Sequence, residues 1–183
     1  MGSARKLSGI ILCGGASSRF GSDKALATYE GEVMVDRAIA LLRPFCKRIT
    51  LVAGRNPYRF WDRLGDGVEV TSDPGEGPAE ALRFAIAEEP RRAIVIPVDM
   101  PALTGEIIER FIGAADGCCA VLGEKPATMP CIIDRGFLDS DAPNLRRSLD
   151  QSGARWLSVS KLGIDQDALI NVNRPEDMGR LDA

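Results

Sequence analysis

The stretch that most constrains this chain is Leu7 to Lys24, LSGIILCGGASSRFGSDK. It opens with a short apolar run, Gly9-Ile10-Ile11-Leu12-Cys13, which is too short to cross a membrane and predicts a buried strand. Gly14-Gly15 ends that strand, and the next nine residues hold Ser17, Ser18, Arg19, Gly21, Asp23 and Lys24. Backbone without Cβ obstruction lets several main-chain N–H groups converge on an anion, and the two cations that follow neutralise it. A polyphosphate fits this pattern best. The spacing excludes a Walker loop, because five residues separate Gly15 from Gly21 and Ser22-Asp23 intervene before Lys24. No G-x-G-x-x-G is present there either.

Beyond Lys24 the chain alternates apolar runs with helical patterns. A polar connection, Thr28 to Glu32, leads to a helix from about Val33, with Val35, Ala38, Ile39 and Leu42 on one face and Pro44 ending it. Arg48 to Ala53 reads as a second strand, Tyr58 to Leu64 as a weak helical segment and Gly67 to Thr71 as a third strand. A loop from Ser72 to Pro78 delivers the chain into a helix carrying Leu82, Ala85 and Ile86, and Arg92 to Val98 is apolar enough for a central strand buried on both sides. Glu106 to Ala115 is the next predicted helix. The last third is less regular, with strands at Cys118 to Leu122, Met129 to Ile133 and Arg155 to Val159, a helix at Asn144 to Gln151, and a final short helix led by Pro175. This rhythm predicts an α/β fold with a parallel sheet covered on both faces.

At 183 residues the chain is expected to form one domain over 1–183. Its formal net charge of -3 gives no footprint for nonspecific nucleic-acid binding, and no apolar run is long enough for a membrane span. A cytoplasmic protein is expected. Five cysteines, an odd number without a C-x-x-C, argue against a disulfide framework and a structural zinc site. The absence of histidine removes His-based triads and His metal ligands, so a metal would sit on oxygen, which favours magnesium or manganese.

Open α/β sheets bind ligands beyond the carboxyl ends of their strands. The Gly14 to Lys24 loop, Asp73 and Asp99 all fall there. Asp99, at the tip of a buried strand and just before Met100-Pro101, is placed to bind Mg²⁺ that also touches phosphates, or else to cap the following loop. Asp73 begins Asp-Pro-Gly, so turn formation competes with base or ribose recognition. Asn171 and Asn173 either contact a second substrate or cap the helix after them. Cys13, with no histidine to activate it, reads as a small buried residue rather than a nucleophile.

Leu12, Gly14, Gly15, Ser17, Arg19, Gly21, Asp23 and Lys24 match the L-x-G-G-x-S-x-R-x-G-x-D-K signature of glycosyltransferase-A-like nucleotidyltransferases. With the Asp73 to Pro78 loop, PVDMP and NVNRPED, the chain resembles the molybdenum cofactor guanylyltransferases from about Ser8 to Leu181. The resemblance implies a three-layer α/β/α fold, a mostly parallel sheet of Rossmann-like (glycosyltransferase-A-like) topology. It also implies transfer of GMP from GTP to molybdopterin cofactor with Mg²⁺, and a client molybdoenzyme or delivery protein downstream. By position, Leu12, Cys13, Gly14 and Gly15 would line the nucleotide, Arg19 and Lys24 would hold its phosphates, Asp73 would contact the guanosine, and Asp99 would bind nucleotide and metal. Three positions depart from the family pattern: Cys13 stands for alanine, Gly77-Pro78-Ala79-Glu80-Ala81 for G-P-L-A-G, and Ala53-Gly54 for a frequent asparagine. A transferase using CTP or a sugar or alcohol phosphate, and a non-catalytic nucleotide-binding delivery protein, are the alternatives.

Overall fold

Six consecutive buried residues, Leu7–Leu12, form strand β1 at the middle of the sheet. Its alternate side chains serve two cores, Ile11 on one face and Ile10 with Leu12 on the other. The structure, a computed structural model, describes residues 7–14, 23–87, 89, 92–115, 120–123, 128–139, 141–142, 144–174 and 177. After β1 the described chain resumes at Asp23, which caps a single 3-10 turn, Lys24–Leu26. The polar connection then folds into an antiparallel ribbon, β2 (Thr28–Tyr29) and β3 (Glu32–Val33), turned by Glu30 and Gly31 at positive φ.

Helix α1 (Met34–Leu42) buries Val35, Ala38, Ile39 and Leu42 as its periodicity predicts. It lies close on the sheet, for a Cβ on Gly9 would stand 3.0 Å from Leu42 Cδ1. Strand β4 (Cys46–Val52) begins two residues earlier than expected, because Cys46 pairs with Leu7. The segment predicted as weakly helical is a 3-10 helix, Pro57–Arg63, opened by a proline with its φ already suitable. β5 (Val68–Thr71), α2 (Pro78–Ala87), β6 (Ala93–Pro97) and α3 (Gly105–Ala114) follow close to expectation. Beyond them lie β7 (Ala120–Leu122), β8 (Cys131–Ile133), a 3-10 turn at Arg135–Asp139, α4 (Leu145–Gln151), β9 (Arg155–Leu157) and a last 3-10 turn at Gln166–Leu169. Cys118, which opens a predicted strand, its neighbour Cys119, and Pro175, which leads the predicted final helix, lie outside the described residues.

The main sheet has the order β5-β4-β1-β6-β8-β7-β9. Its pairings make β8 antiparallel to both neighbours and every other pair parallel, so in the described sheet only β8 runs against the rest. Helices α1 and α3 pack on one face and α2 and α4 on the other, each over its own apolar cluster. This is the mostly parallel, three-layer arrangement that the family resemblance implies; the apolar runs predicted a parallel sheet covered on both faces, and β8 is the exception to it. Among the described residues no helix is long and apolar enough to cross a membrane.

Candidate active site

Parallel strands deliver their carboxyl ends to one edge, and four of them, β1, β4, β5 and β6, lie side by side here. The pairing continues past the strands themselves: Cys13 N donates to Val52 O at 2.9 Å, Val98 N to Leu12 O at 3.1 Å and Ala53 N to Thr71 O at 2.9 Å. The residues just beyond are therefore held as firmly as the strands. They surround a cleft of about 370 Å³ that Leu12, Cys13, Gly14, Lys24, Asp73, Asp99 and Asn171 all line.

On one side of the cleft Lys24 Nζ stands 3.0 Å from Asp99 Oδ2 and donates to Asn173 Oδ1 at 3.2 Å. Both partners of the ion pair keep less than a fifth of their side chains exposed. The other oxygen of Asp99, Oδ1, is buried and has no hydrogen-bond partner among the described residues. Desolvating such an atom is costly unless something satisfies it. Among the described residues there is no cluster of three side chains able to hold a metal. A single carboxylate lining the cleft, with one oxygen left unsatisfied, suits a hard cation that keeps water and other oxygen ligands for its remaining positions. Behind Asp99 the carboxyl-terminal segment docks on the same strand tip, with Val172 N donating to Asp99 O at 2.8 Å. Asn173 thus meets Lys24 through its side chain, while its backbone N–H is met by Asp177 Oδ2 at 2.9 Å.

The opposite side is built on Asp73. Its carboxylate accepts from Gly54 N and from Gly75 N, each at 2.8 Å, so the Asp-Pro-Gly turn forms and is tied to the end of β4. The side chain is buried yet borders the cleft. Each carboxylate oxygen has capacity for a further donor, so turn formation and ligand contact are compatible. Gly14 comes against Gly54 so closely that a Cβ there would sit 3.1 Å from Gly54 N, and Gly54 itself has a φ of +67°. Here glycine is required by contact at one position and by conformation at the other.

Burial pushes the Cys13 thiol well above its usual range, with Arg59 opposing, so Cys13 is a packing residue. Of the departures from the family pattern, Glu80 turns out to pair with Arg83 at 2.8 Å, and Arg83 bonds Ser148 Oγ at 3.0 Å, fastening α2 to α4. Ala81 lines the cleft. Gly15 and Arg19 lie outside the described residues. A residue that sequence reasoning missed is Arg59, whose guanidinium reaches Asp23, Cys13 O and Ala53 O. Its partners lie 6 to 46 positions away, and the only local signal was an acidic residue in an anion-binding loop needing a cation to balance it.

A mostly parallel sheet with a cleft at its carboxyl edge is the architecture that the glycine-loop resemblance implies, and comparison with known proteins sets the class. The family model for the MobA-like NTP transferase domain matches residues 9–164, and the chain belongs to that family. It is similar to the "Probable molybdenum cofactor guanylyltransferase" of Deinococcus radiodurans, 31% identical over 96% of this chain and 93% of the relative. A molybdenum cofactor guanylyltransferase of Cereibacter sphaeroides is 30% identical over 97% of this chain and 96% of its own. Among solved structures, molybdopterin-guanine dinucleotide biosynthesis protein A from Archaeoglobus fulgidus superposes with a TM-score of 0.77, covering 96% of each chain at 19% identity, which supports the fold. The resemblance expected from the loop is borne out, and the chain is a nucleotidyltransferase enzyme.

Proposed function

We propose that this enzyme transfers GMP from GTP to the terminal phosphate of molybdopterin cofactor, giving the guanine dinucleotide cofactor and pyrophosphate. Relatives named for that activity match nearly the whole chain. The observation that carries the assignment of roles is the meeting of Lys24 with Asp99, 3.0 Å apart, in the cleft that Gly14 also lines. An acceptor phosphate oxygen attacks the α-phosphorus, the bond from that phosphorus to the β-bridging oxygen breaks, and pyrophosphate departs with the electron pair. Such a displacement needs reactants held in line and charge neutralised rather than a covalent protein intermediate.

Lys24 and Arg19 supply positive charge to the phosphates, and Leu12, Cys13, Gly14 and Gly15 line the nucleotide. Asp73 accepts from the guanine edge, whose ring N–H and exocyclic amine are both donors, matching the carboxylate's remaining acceptor sites. Asn171 and Asn173 face the acceptor. Asp99 would hold Mg²⁺, which neutralises the phosphate oxygens and polarises the reacting phosphorus when bound.

The test is pyrophosphate release with each of the four nucleoside triphosphates, with molybdopterin cofactor and with simple sugar or alcohol phosphates as acceptors. Release with GTP and the pterin acceptor supports the assignment. A preference for CTP, or for a sugar phosphate, would replace it with a related transferase, and GTP binding without release on any acceptor would make the chain a delivery protein.

A further inference from the structure

One side chain that does not line the cleft links the end of β1 to the turn that carries Lys24. Arg59, on the 3-10 helix after β4, pairs through Nη1 with Asp23 Oδ2. Through Nη2 it donates to Cys13 O at 2.8 Å and to Ala53 O at 3.1 Å. Its guanidinium carbon lies 4.6 Å from the ring centre of Phe60, a residue with no exposed surface. The fork is therefore seated on the core and aimed at three oxygens from three segments.

Two of those segments bracket the anion-binding loop. Cys13 is where the chain leaves β1, and Asp23 is where it enters the turn carrying Lys24. Asp23 has a second duty, since its Oδ1 accepts from Ala25 N at 3.2 Å and caps that turn. From Arg59 the contacts thus run to Asp23, then to the Lys24 turn, and from Lys24 Nζ to Asp99 and Asn173. A planar guanidinium can satisfy diverging acceptors at once, whereas an ammonium on a flexible stem acts as a point charge.

We propose that Arg59 is a positioning residue that ties the end of β1 to the turn carrying Lys24, so that Lys24 meets the incoming triphosphate already in place. This rests on the reading of the cleft as a nucleoside triphosphate site. Arg59 itself touches no reacting atom. Its contribution is preorganisation, since a cation held in place beforehand loses less freedom when the ligand arrives. A misplacement of about 1 Å at a charged group can cost about 100-fold in rate.

The first measurement needs no nucleotide. In Arg59→Gln, exchange of the Leu26 and Ala27 amides, which bond to Asp23 O and Lys24 O, is expected to quicken by about 10- to 100-fold, with α3 and α4 unchanged. Unchanged exchange at 26 and 27 overturns the proposal, whatever the ligand proves to be. The second measurement is kinetic, with GTP, Mg²⁺ and the pterin acceptor. KM for GTP is expected to rise about tenfold or more, KM for the acceptor to hold, and Arg59→Lys to recover little. Full recovery by lysine would mean that charge alone matters and would overturn the fork. Asp23→Asn leaves Arg59 on both carbonyls and guards against a folding failure. It should reproduce the amide effect, and adding it to Arg59→Gln should add little. If the single variants' effects simply add, the two residues act separately and the proposal falls. Loss of GTP binding by the wild type alongside the expected exchange would remove the nucleotide reading and leave the clamp standing.

Discussion

From β5 to β6 the strands are four to seven residues long and run one way. From β8 outward each is three residues, and the direction reverses at β8. The first side sends four carboxyl ends to one edge and supplies Gly14, Gly54, Asp73 and Asp99. The second sends Met129, the residue two before β8, and Asn171, beyond β9, into the cleft, while its Phe137, Leu145 and Leu149 pack into the cluster under α2. β7 and β9 run with the first four, but β8 separates them from the cleft, so an unbroken parallel run of longer strands, rather than direction alone, marks the half that carries the cleft. Where neighbours share a direction, loops far apart in sequence accumulate at one place. A reversed strand presents its beginning there instead.

If the division of labour is real, damage should separate by side. The largest effect is expected from Leu149→Ala, which empties a fully buried position in the cluster under α2 and should lower stability by about 2–5 kcal/mol. Denaturant titration measures the loss, and turnover of the folded fraction should be unchanged. Lys24→Ala is the counterpart on the other side, with kcat falling about 10²- to 10³-fold and the melting temperature nearly constant. Near wild-type turnover in that variant would take the lysine out of the mechanism. Asp73→Ala should cross the boundary, because it unpairs the Gly54 and Gly75 amides and removes the proposed contact to the base. A stability loss of about 1–3 kcal/mol together with a higher KM for GTP is expected, and a KM change alone would mean that the turn survives without its carboxylate. The smallest effect belongs to Thr104→Ala, which deletes the side-chain cap that accepts from Ile107 N at the start of α3. About 1 kcal/mol should be lost, with both kinetic constants intact.

Most of the parallel side was legible because its signals are local. An apolar run such as Ala93–Pro97 is buried at every position, and α1 presents one apolar face. The cleft residues were legible for the same reason: strand ends in an open parallel sheet have a common destination, so Gly14, Asp73 and Asp99 could be placed together without coordinates. What escaped depends on distant partners. The reversal at β8 is fixed by pairing with β6 and β7 rather than by composition, and the ribbon of β2 and β3 has only two residues per strand. The 3-10 turn at Lys24–Leu26 depends on Asp23 as its cap, and Asp23 in turn on Arg59, 36 positions away. For Asp73 both readings of the sequence had merit, since its carboxylate makes the turn and still borders the cleft.

The bond from Val172 N to Asp99 O has a mechanical meaning. Val172 has no exposed surface, so it is an anchored peg, and its neighbours Asn171 and Asn173 ride on either side of it. A tug on that peg is transmitted first to the backbone beneath the aspartate. The arm carrying Asn171 and Asn173 and the strand tip carrying Asp99 are thereby joined like the two handles of a pair of tongs, through a single peptide group.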